Sequence, residues 1–398
     1  MPKISLTKEI NEIKNQLAYA KNIGFFFGAG TSCALSIPNI EMLTKAVEDD
    51  LSVDLKKSFL LIKDDLALTI KDKQVNIEDI LNQIRRIREI TGESDKDYIK
   101  VTGKAAKELD KEICTKIYNK IFEKEKTADL QNPKRFFAWL NILNREFSKE
   151  VFTTNYDLII EKSLEESRIP YFDGFVGSYE PFFWPDSIDT FIGKEDLTKN
   201  WIRLWKIHGS LSWFWKLDSK TNSQNIIRIG KIEDIKKMEN ELVIYPSKEK
   251  YDASRKQPFL AYFDRLKNYL LNGELLFVFT GYSFSDQHIN EIVFNCLRQN
   301  SRLFAMVYFF KDEEVVKLHS QIATYMNLNV FGPKKAIITG SLGEWEFPEL
   351  DEFKKDKKQF EHYWNETDST FTLGDFNKLV DFLIINSGKK EAIDASIK

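Results

Sequence analysis

A turn of small residues follows an apolar stretch near the start of the chain. The sequence IGFFFGAGTS covers residues 23–32, and its turn consists of Gly28, Ala29, Gly30, Thr31 and Ser32. A glycine-rich turn between a buried strand and a helix lets the backbone approach a pyrophosphate and directs N–H groups at it. The turn lacks the third glycine of the usual dinucleotide fingerprint. Taken alone, it fits a phosphate site and a tight turn without a ligand equally well.

Polar residues follow three further apolar stretches. Asn155 and Asp157 lie in FTTNYD, His208 and Gly209 in KIHGS, and Gly281 and Ser283 in FTGYSFSD. Open α/β sheets bind their ligands at the carboxyl ends of parallel strands, so these residues are expected at one edge of a sheet. An imidazole there is suited to general base chemistry at neutral pH. The convergence of the four segments predicts a site.

Short apolar runs bounded by turn residues predict the strands of that sheet. They cover Ile23–Phe27, Val151–Thr153, Arg203–Ile207, Leu275–Phe279 and Leu303–Phe310. Helical patterns follow three of them, at Glu41–Leu51, Tyr156–Ser167 and Asp286–Arg298. Buried strands that alternate with helices are typical of parallel sheets. We predict an α/β fold with a Rossmann-like parallel sheet and helices on both faces.

Two segments differ from this alternation. Residues 51–149 read as almost wholly helical, most clearly in NIEDILNQIRRIREI, where Asn76 is the expected N-cap. After Gly343 the chain is charged and mainly helical, without a strand pattern. The predicted organisation is a first part of the core at 1–50, a helical insertion at 51–149, the rest of the core at 150–343 and a helical tail at 344–398.

Composition excludes several classes of protein. The 398 residues are 42% hydrophobic and carry a net charge of only −3, so no global field attracts nucleic acid or an anionic membrane. No apolar run approaches the length of a membrane span. Cys33, Cys114 and Cys296 form no C-x-x-C pair, which argues against structural zinc and disulfides. We expect a cytoplasmic protein without a bound metal.

These motifs resemble those of the sirtuins, and more closely those of divergent bacterial sirtuin-like proteins of antiviral defence. The turn at 28–32 with Pro38 resembles the first nucleotide-binding element, and the N-x-D, HG and G-x-S elements match the other three places. Two departures stand out: Asn39 follows Pro38 where sirtuins usually have aspartate, and the four zinc-binding cysteines are absent. The resemblance therefore implies binding and cleavage of NAD+ rather than lysine deacetylation.

Cleavage of NAD+ needs little from the protein because nicotinamide leaves as a neutral molecule from a cationic precursor. The protein must support an oxocarbenium-like centre and supply a nucleophile. Asn155 is suited to hold a ribose hydroxyl or a water, and His208 to act as general base. By resemblance, Asp157 holds the nicotinamide amide. With water as acceptor, the products are nicotinamide and ADP-ribose.

Other interpretations of the same residues stay open. Asn155 and Asp157 are also common helix caps, and His208 could be a satisfied core residue. The chain could be a non-catalytic sensor of NAD+ or ADP-ribose. A nuclease subunit has less support because the sequence shows no clustered carboxylates at strand ends, and a dehydrogenase has less still because the fingerprint is incomplete.

The resemblance also implies regulation. Depletion of cellular NAD+ would halt phage growth and kill the host, so the activity must be gated. Nothing after Gly343 reads as a nucleotide-sensing domain. We expect a homo-oligomer, a partner of the HerA-type hexameric ATPase class, or both.

Overall fold

The computed structural model describes residues 1–70, 74–188, 200–217, 224–230, 242–244, 258–347 and 357–397. In these ranges helices α1 to α14 cover Leu6–Tyr19, Ala29–Cys33, Ile40–Asp50, Val53–Thr69, Ile77–Thr91, Gly103–Thr127, Gln131–Ile142, Ile159–Glu166, Phe259–Leu271, Gln287–Gln299, Asp312–Ile322, Lys357–Phe360, Phe376–Asn386 and Lys390–Ser396. Strands β1 to β19 cover Lys3–Ser5, Asn22–Phe27, Asp97–Tyr98, Val101–Thr102, Glu150–Thr153, Tyr171–Phe172, Phe175–Val176, Phe182–Phe183, Ile202–Lys206, Gly209–Leu217, Gln224–Arg228, Leu242–Ile244, Leu275–Thr280, Leu303–Tyr308, Leu328–Phe331, Lys335–Ile338, Ser341–Glu346, Trp364–Asn365 and Thr370–Phe371.

A mostly parallel sheet forms the centre of the molecule. Its strand order is β1-β17-β16-β15-β14-β13-β2-β5-β9-β6. All neighbours from β15 to β6 are parallel, whereas β16 pairs antiparallel with both β15 and β17. The five predicted strands are β2, β5, β9, β13 and β14, each within two residues of its expected bounds. The predicted α/β fold with a Rossmann-like parallel sheet is confirmed.

Both faces of this sheet are covered by helices. Along β2 the side chains alternate, so that Phe25 and Phe27 join one apolar cluster and Phe26 joins the other. The first cluster includes residues of α1, α7 and α13, and the second includes residues of α9, α10 and α11. Every residue of β2 is buried. Burial on both faces explains why this strand reads as a continuous apolar run.

Four helices, α3 to α6, form a layer whose apolar cluster also includes Ile159 of α8 and Leu211 and Phe214 of β10. Helix α5 begins with a capping box in which Asn76 accepts from the N–H of Asp79 and Asp79 accepts from the N–H of Asn76. The predicted N-cap is therefore confirmed. The layer also contains the two-residue strands β3 and β4, which form a hairpin between α5 and α6.

The packing adds detail that the sequence did not indicate. Helix α7 lies within residues 51–149 but packs against the sheet, in the cluster that contains Phe136, Trp139 and Phe376. The tail contains α13 and α14, as expected of a helical segment. It also contains strands, because β17 runs on to Glu346 and β18 pairs with β19. The division into domains stays a prediction.

A second, antiparallel sheet has the order β12-β10-β11-β8-β7. Its strand β10 starts at Gly209, directly after His208. Trp213 of β10 is buried against Phe175 and Tyr262 and belongs to the core. Within the described residues, no helix has the length and apolar composition needed to cross a membrane.

Candidate active site

The register of the parallel sheet brings four strand ends to one level. Phe27, the last residue of β2, pairs with Thr153 at the end of β5 and with Thr280 at the end of β13. Thr153 in turn pairs with Lys206, the last residue of β9. The loops that carry Gly28, Asn155, His208 and Gly281 therefore leave the sheet side by side, as the sequence predicted.

The two glycine turns pack directly against each other. The N–H of Gly28 donates to the carbonyl of Thr280 (3.0 Å), and the N–H of Gly30 donates to that of Gly281 (2.9 Å). A Cβ atom on Gly28 would lie 2.3 Å from the Gly281 oxygen, and one on Gly30 would lie 2.6 Å from the Gly281 Cα. Gly281 has φ +65°, a conformation that favours glycine.

This packing explains the glycines at positions 28 and 30 differently from the sequence analysis, which attributed them to the close approach of a pyrophosphate. Side chains are excluded from Gly28 and Gly30 by the neighbouring turn. Two of the N–H groups expected to face a phosphate are bonded to that turn, and the N–H of Thr31 donates to the carbonyl of Gly28 (3.1 Å). Ala29 and Gly30 form the exposed part of the turn.

Asn155 ties the loop after β5 to the first turn. Its Nδ2 lies 3.0 Å from the carbonyl oxygen of Gly28, 3.0 Å from Oγ1 of Thr31 and 2.9 Å from Oγ of Ser32. A carbonyl oxygen only accepts, so the contact with Gly28 identifies the nitrogen of the amide. Oδ1 of this buried side chain is then the atom suited to accept from a hydroxyl or a water.

Asp157 shares Ser32 with Asn155. Oγ of Ser32 donates to Oδ2 of Asp157 (2.6 Å) and accepts from Asn155. Oδ1 of Asp157 accepts from the N–H of Ile159 (3.2 Å), the first residue of α8. Asp157 is buried. Besides contacting Ser32, it therefore acts in part as a helix cap, which was the alternative role that the sequence left open.

A layer of buried charges supports the loop from Asn155 to Leu158. The ammonium of Lys206, fully buried at the end of β9, donates to the carbonyl of Asp157 and to Oε1 of Glu161 (2.8 Å). Burial raises the pKa of Glu161, and Lys206 offsets only part of that rise. From helix α6, Glu125 accepts from the N–H of Leu158 (2.6 Å) and from Lys162 (2.8 Å).

His208 lies at the other side of the site, paired with Asp286. Its Nε2 is 3.1 Å from Oδ2 of Asp286, and the side chains are 9% and 19% exposed. The other oxygen of Asp286 caps α10 by accepting from the N–H groups of His288 and Ile289. Burial alone would raise the pKa of Asp286, but the hydrogen bond and charge of His208 together with the cap lower it to about 2.

The low pKa of Asp286 determines which nitrogen of His208 carries the proton. An ionised carboxylate only accepts hydrogen bonds, so Nε2 must donate to it. In the neutral imidazole, Nδ1 is then the basic nitrogen. The pair has the arrangement of a general base oriented by a carboxylate.

Two predicted site residues lie apart from this network. Ser283 is exposed, and its hydroxyl contacts that of Ser285 (2.9 Å). Pro38 is half-buried in the connection between α2 and α3. The structure thus brings together the turn at 28–32, Asn155, Asp157, His208 and Gly281.

The sequence analysis missed Glu125 and Asp286 as contributors. Asp286 precedes a helical pattern, which is the signal of an N-cap, but nothing in the sequence indicates its contact with His208. Glu125 lies in a run of alternating charges that reads as a solvated helix face, yet its side chain is fully buried. No group of three or more potential metal ligands occurs in the part of the chain that the structure describes.

Comparison with solved structures finds sirtuin homologues. A Sir2 homologue in complex with NAD is 14% identical, with 77% of this chain and 84% of that chain covered and a TM-score of 0.38. An ADP-ribose complex of a mutant Sir2 homologue is 12% identical, with 74% and 83% covered and a TM-score of 0.38. Comparison with curated protein sequences gave no match. A family model described as "SIR2-like domain" matches residues 149–330, a segment that contains Asn155, Asp157, His208 and Gly281.

Proposed function

We propose that this chain is an NAD+ hydrolase that cleaves the bond between nicotinamide and ribose. The observation that carries the proposal is the pair of hydrogen-bonded groups at the carboxyl edge of the sheet: Asn155 and Asp157 with the turn at 28–32, and His208 with Asp286. Asn155, Asp157, His208 and Asp286 lie in the segment that matches the SIR2-like domain. An amide, a carboxylate and an oriented imidazole are the groups that this reaction requires.

In the proposed reaction, the C1′–N bond breaks and its electron pair goes to the nicotinamide ring, which leaves neutral. Oδ1 of Asn155 accepts a hydrogen bond from the ribose or from the attacking water, because Nδ2 is held by Gly28. The water oxygen bonds to C1′ and its proton passes to Nδ1 of His208. The charge of the imidazolium is stabilised by Asp286. The products are nicotinamide, ADP-ribose and a proton.

Asp157 is proposed to hold the carboxamide of nicotinamide. Its Oδ2 is bonded to Ser32 and its Oδ1 to the N–H of Ile159, so the substrate must share or replace one of these bonds. Ser32 is at the same time an acceptor for Asn155. A site whose polar groups are satisfied by one another favours a resting state that needs a conformational change before catalysis.

That arrangement supports a gated enzyme. We propose that the protein acts in the cytoplasm, where it depletes NAD+ in defence against phage, and that self-assembly or an ATPase of the HerA type supplies the gate. The aromatic segment from Pro170 to Trp215 is proposed to form part of the wall that excludes water, because its described part contributes β7, β8 and the start of β10 to the small sheet, and β10 begins directly after His208.

The test is release of nicotinamide from NAD+ by the purified full chain, alone and with the candidate ATPase. We expect Asn155→Ala and His208→Ala to lower release by about 10²-fold or more. His319→Ala, on α11 outside the network, is the control and should retain the wild-type rate. Binding of NAD+ or ADP-ribose without release under any condition would contradict the hydrolase and indicate a sensor.

A further inference from the structure

Helix α4, residues Val53–Thr69, packs into the helical layer by one face. Phe59 and Ile62 are fully buried on this face, and Leu55 and Leu66 pack partly against the same cluster. At about 100° per residue, these four positions fall on one side of the helix. Burial of this face accounts for the attachment of α4 to the rest of the chain.

Contacts on two flanks fix how the helix is turned. On one flank Lys63 forms an ion pair with Glu48 of α3 (2.7 Å). On the other flank Asp65 accepts from Gln83 of α5 (3.1 Å). The positions between these flanks, opposite Phe59 and Ile62, must therefore face away from the molecule.

The outward face is apolar where a solvated face would be polar. Val53 is 74% exposed and Leu68 is 78% exposed. Leu60 and Leu61, which lie between these two residues along the helix, are 37% and 39% exposed. These four side chains lie within an arc of about 100° and span about 22 Å along the axis. Scattered exposed apolar residues are common, but four of them aligned on one helix face, here with Lys57 and Asp64 between them, mark an interaction surface.

The stripe is symmetric about its own centre. Val53 and Leu68 lie at equal distances from the point midway between Leu60 and Leu61. Lys57 and Asp64, both exposed and within the same arc, also lie at equal distances from that point. An antiparallel copy of the helix, related by a two-fold axis through the midpoint, would place Val53 against Leu68 and Lys57 against Asp64.

We propose that α4 is the contact helix of a homodimer with this two-fold, antiparallel arrangement. Each contact then occurs twice, as required of an isologous interface. The apolar pairs lie in the middle and at both ends, and the two Lys57–Asp64 pairs fix the register. Lys57 now contacts Asp54 (3.2 Å), but both side chains are highly exposed, so exchange of partners costs little.

The pattern favours a second copy over a different partner. A foreign helix would need apolar residues on this stripe but no opposite charges at symmetric positions. Here the opposite charges occupy the two positions that a two-fold axis interchanges. The inference concerns assembly alone and stands independently of the proposed hydrolysis of NAD+.

Charge exchange tests the register in the full chain. Lys57→Glu would place two carboxylates together, and Asp64→Lys two ammonium groups, twice in each dimer. We expect each single variant to raise the dimer Kd by about tenfold. The double variant Lys57→Glu with Asp64→Lys restores opposite charges in exchanged positions and should return the Kd to near the wild-type value. Sedimentation equilibrium measures all four proteins.

A second pair of variants tests the apolar stripe. Leu60→Gln should abolish dimerisation, whereas Leu260→Gln, at a residue of similar exposure (41%) on α9, should not change it. In a Cys33→Ser background, Val53→Cys combined with Leu68→Cys should give a disulfide-linked dimer on mild oxidation, whereas Val53→Cys alone should not. A wild-type chain that is monomeric at about 100 μM would overturn the proposal. A dimer whose Kd is unchanged by Leu60→Gln and by the charge changes would also overturn it.

Discussion

Asp286 binds His208 with one carboxylate oxygen and caps helix α10 with the other. Asp286 therefore fixes the orientation of the imidazole relative to the start of α10, because the same side chain caps that helix. Asp286 follows the turn at Gly281, which packs on the turn at Gly28. His208 and the turn at 28–32 are therefore held by one continuous set of contacts.

Substitution of Asp286 separates its two roles. Asparagine is as good an N-cap as aspartate, so Asp286→Asn keeps the cap and should lose only the stabilisation that the ionised carboxylate gains from His208. It removes the charge that orients and stabilises His208, and we expect kcat to fall by about 10²-fold. Asp286→Ala should lose activity similarly and should be about 1 kcal/mol less stable than the Asn variant, because it also lacks the cap. Nicotinamide release and urea denaturation measure the two effects, and an Asn variant with wild-type kcat would contradict the assigned role.

The same carboxylate should make stability depend on pH in the acid range. Its pKa is about 2 in the folded protein, below its ordinary value near 4. The stabilisation is therefore complete above about pH 4 and is lost as the pH falls through about 2. The difference in unfolding free energy between wild type and Asp286→Asn should shrink from pH 5 to pH 2.5. A difference that stays constant over this range would show that the carboxylate gains nothing from its surroundings.

The contact between the glycine turns predicts a large effect of one methyl group. In Gly281→Ala the new Cβ would lie 2.4 Å from the backbone nitrogen of Thr31, at φ +65°. We expect a loss of about 2–4 kcal/mol from strain and steric overlap. Gly273→Ala is the matched control, because φ is +71° there and no atom lies within 4 Å of the added Cβ. It should lose only about 1 kcal/mol, and equal losses in the two variants would mean that the turns do not pack as described.

Ser32 should matter for both stability and activity, because its hydroxyl connects Asn155 with Asp157. Ser32→Ala removes the donor to a buried carboxylate, and we expect a loss of about 1–3 kcal/mol together with reduced nicotinamide release. Ser163→Ala is the control, since that buried hydroxyl bonds only the carbonyl of Ile159 within its own helix. It should cost less than about 1 kcal/mol and leave the rate unchanged. A Ser32 variant that matches this control would contradict the shared contact.

The parts of the fold that sequence could predict are those determined by local composition. Strands β2 and β13 are buried on both faces, so an apolar run bounded by turn residues identifies each of them. Parallel strands end at one edge, which was enough to group Asn155, His208 and Gly281. Strands β18 and β19 have only two residues each and carry no such pattern.

Contacts between distant segments could not be predicted. Gly30 is small because Gly281 lies against it, and no property of GAGTS alone distinguishes that reason from contact with a phosphate. Glu125 is buried because the loop after β5 needs an acceptor, although its neighbours in sequence are charged and mostly exposed. Helix α7 reads like its neighbours in the helical segment, and only its aromatic residues, packed with Phe25 of β2, place it on the sheet.

Glu125 should therefore influence the site without contacting substrate. Burial, together with the charge of Asp157, raises its pKa despite the contacts with Lys162 and Leu158. The pKa of Glu125 is thus higher in the folded protein than its ordinary value. Its contribution to stability is therefore present at pH values below the ordinary pKa and is lost as the pH rises through the folded-state pKa. Glu125→Gln keeps an acceptor for the N–H of Leu158 and removes the buried charge, so its stability relative to wild type should increase from pH 4 to pH 7.

Glu125→Ala, in contrast to Glu125→Gln, should destabilise the protein because it leaves the N–H of Leu158 without its acceptor. We expect a loss of about 1–3 kcal/mol and a lower rate of nicotinamide release, since the loop that carries Asn155 and Asp157 loses its support from α6. The Gln variant should retain most of the rate. Urea denaturation across the pH range and nicotinamide release distinguish the two variants. An Ala variant with full activity would show that α6 and the loop that carries Asn155 and Asp157 are not coupled through this carboxylate.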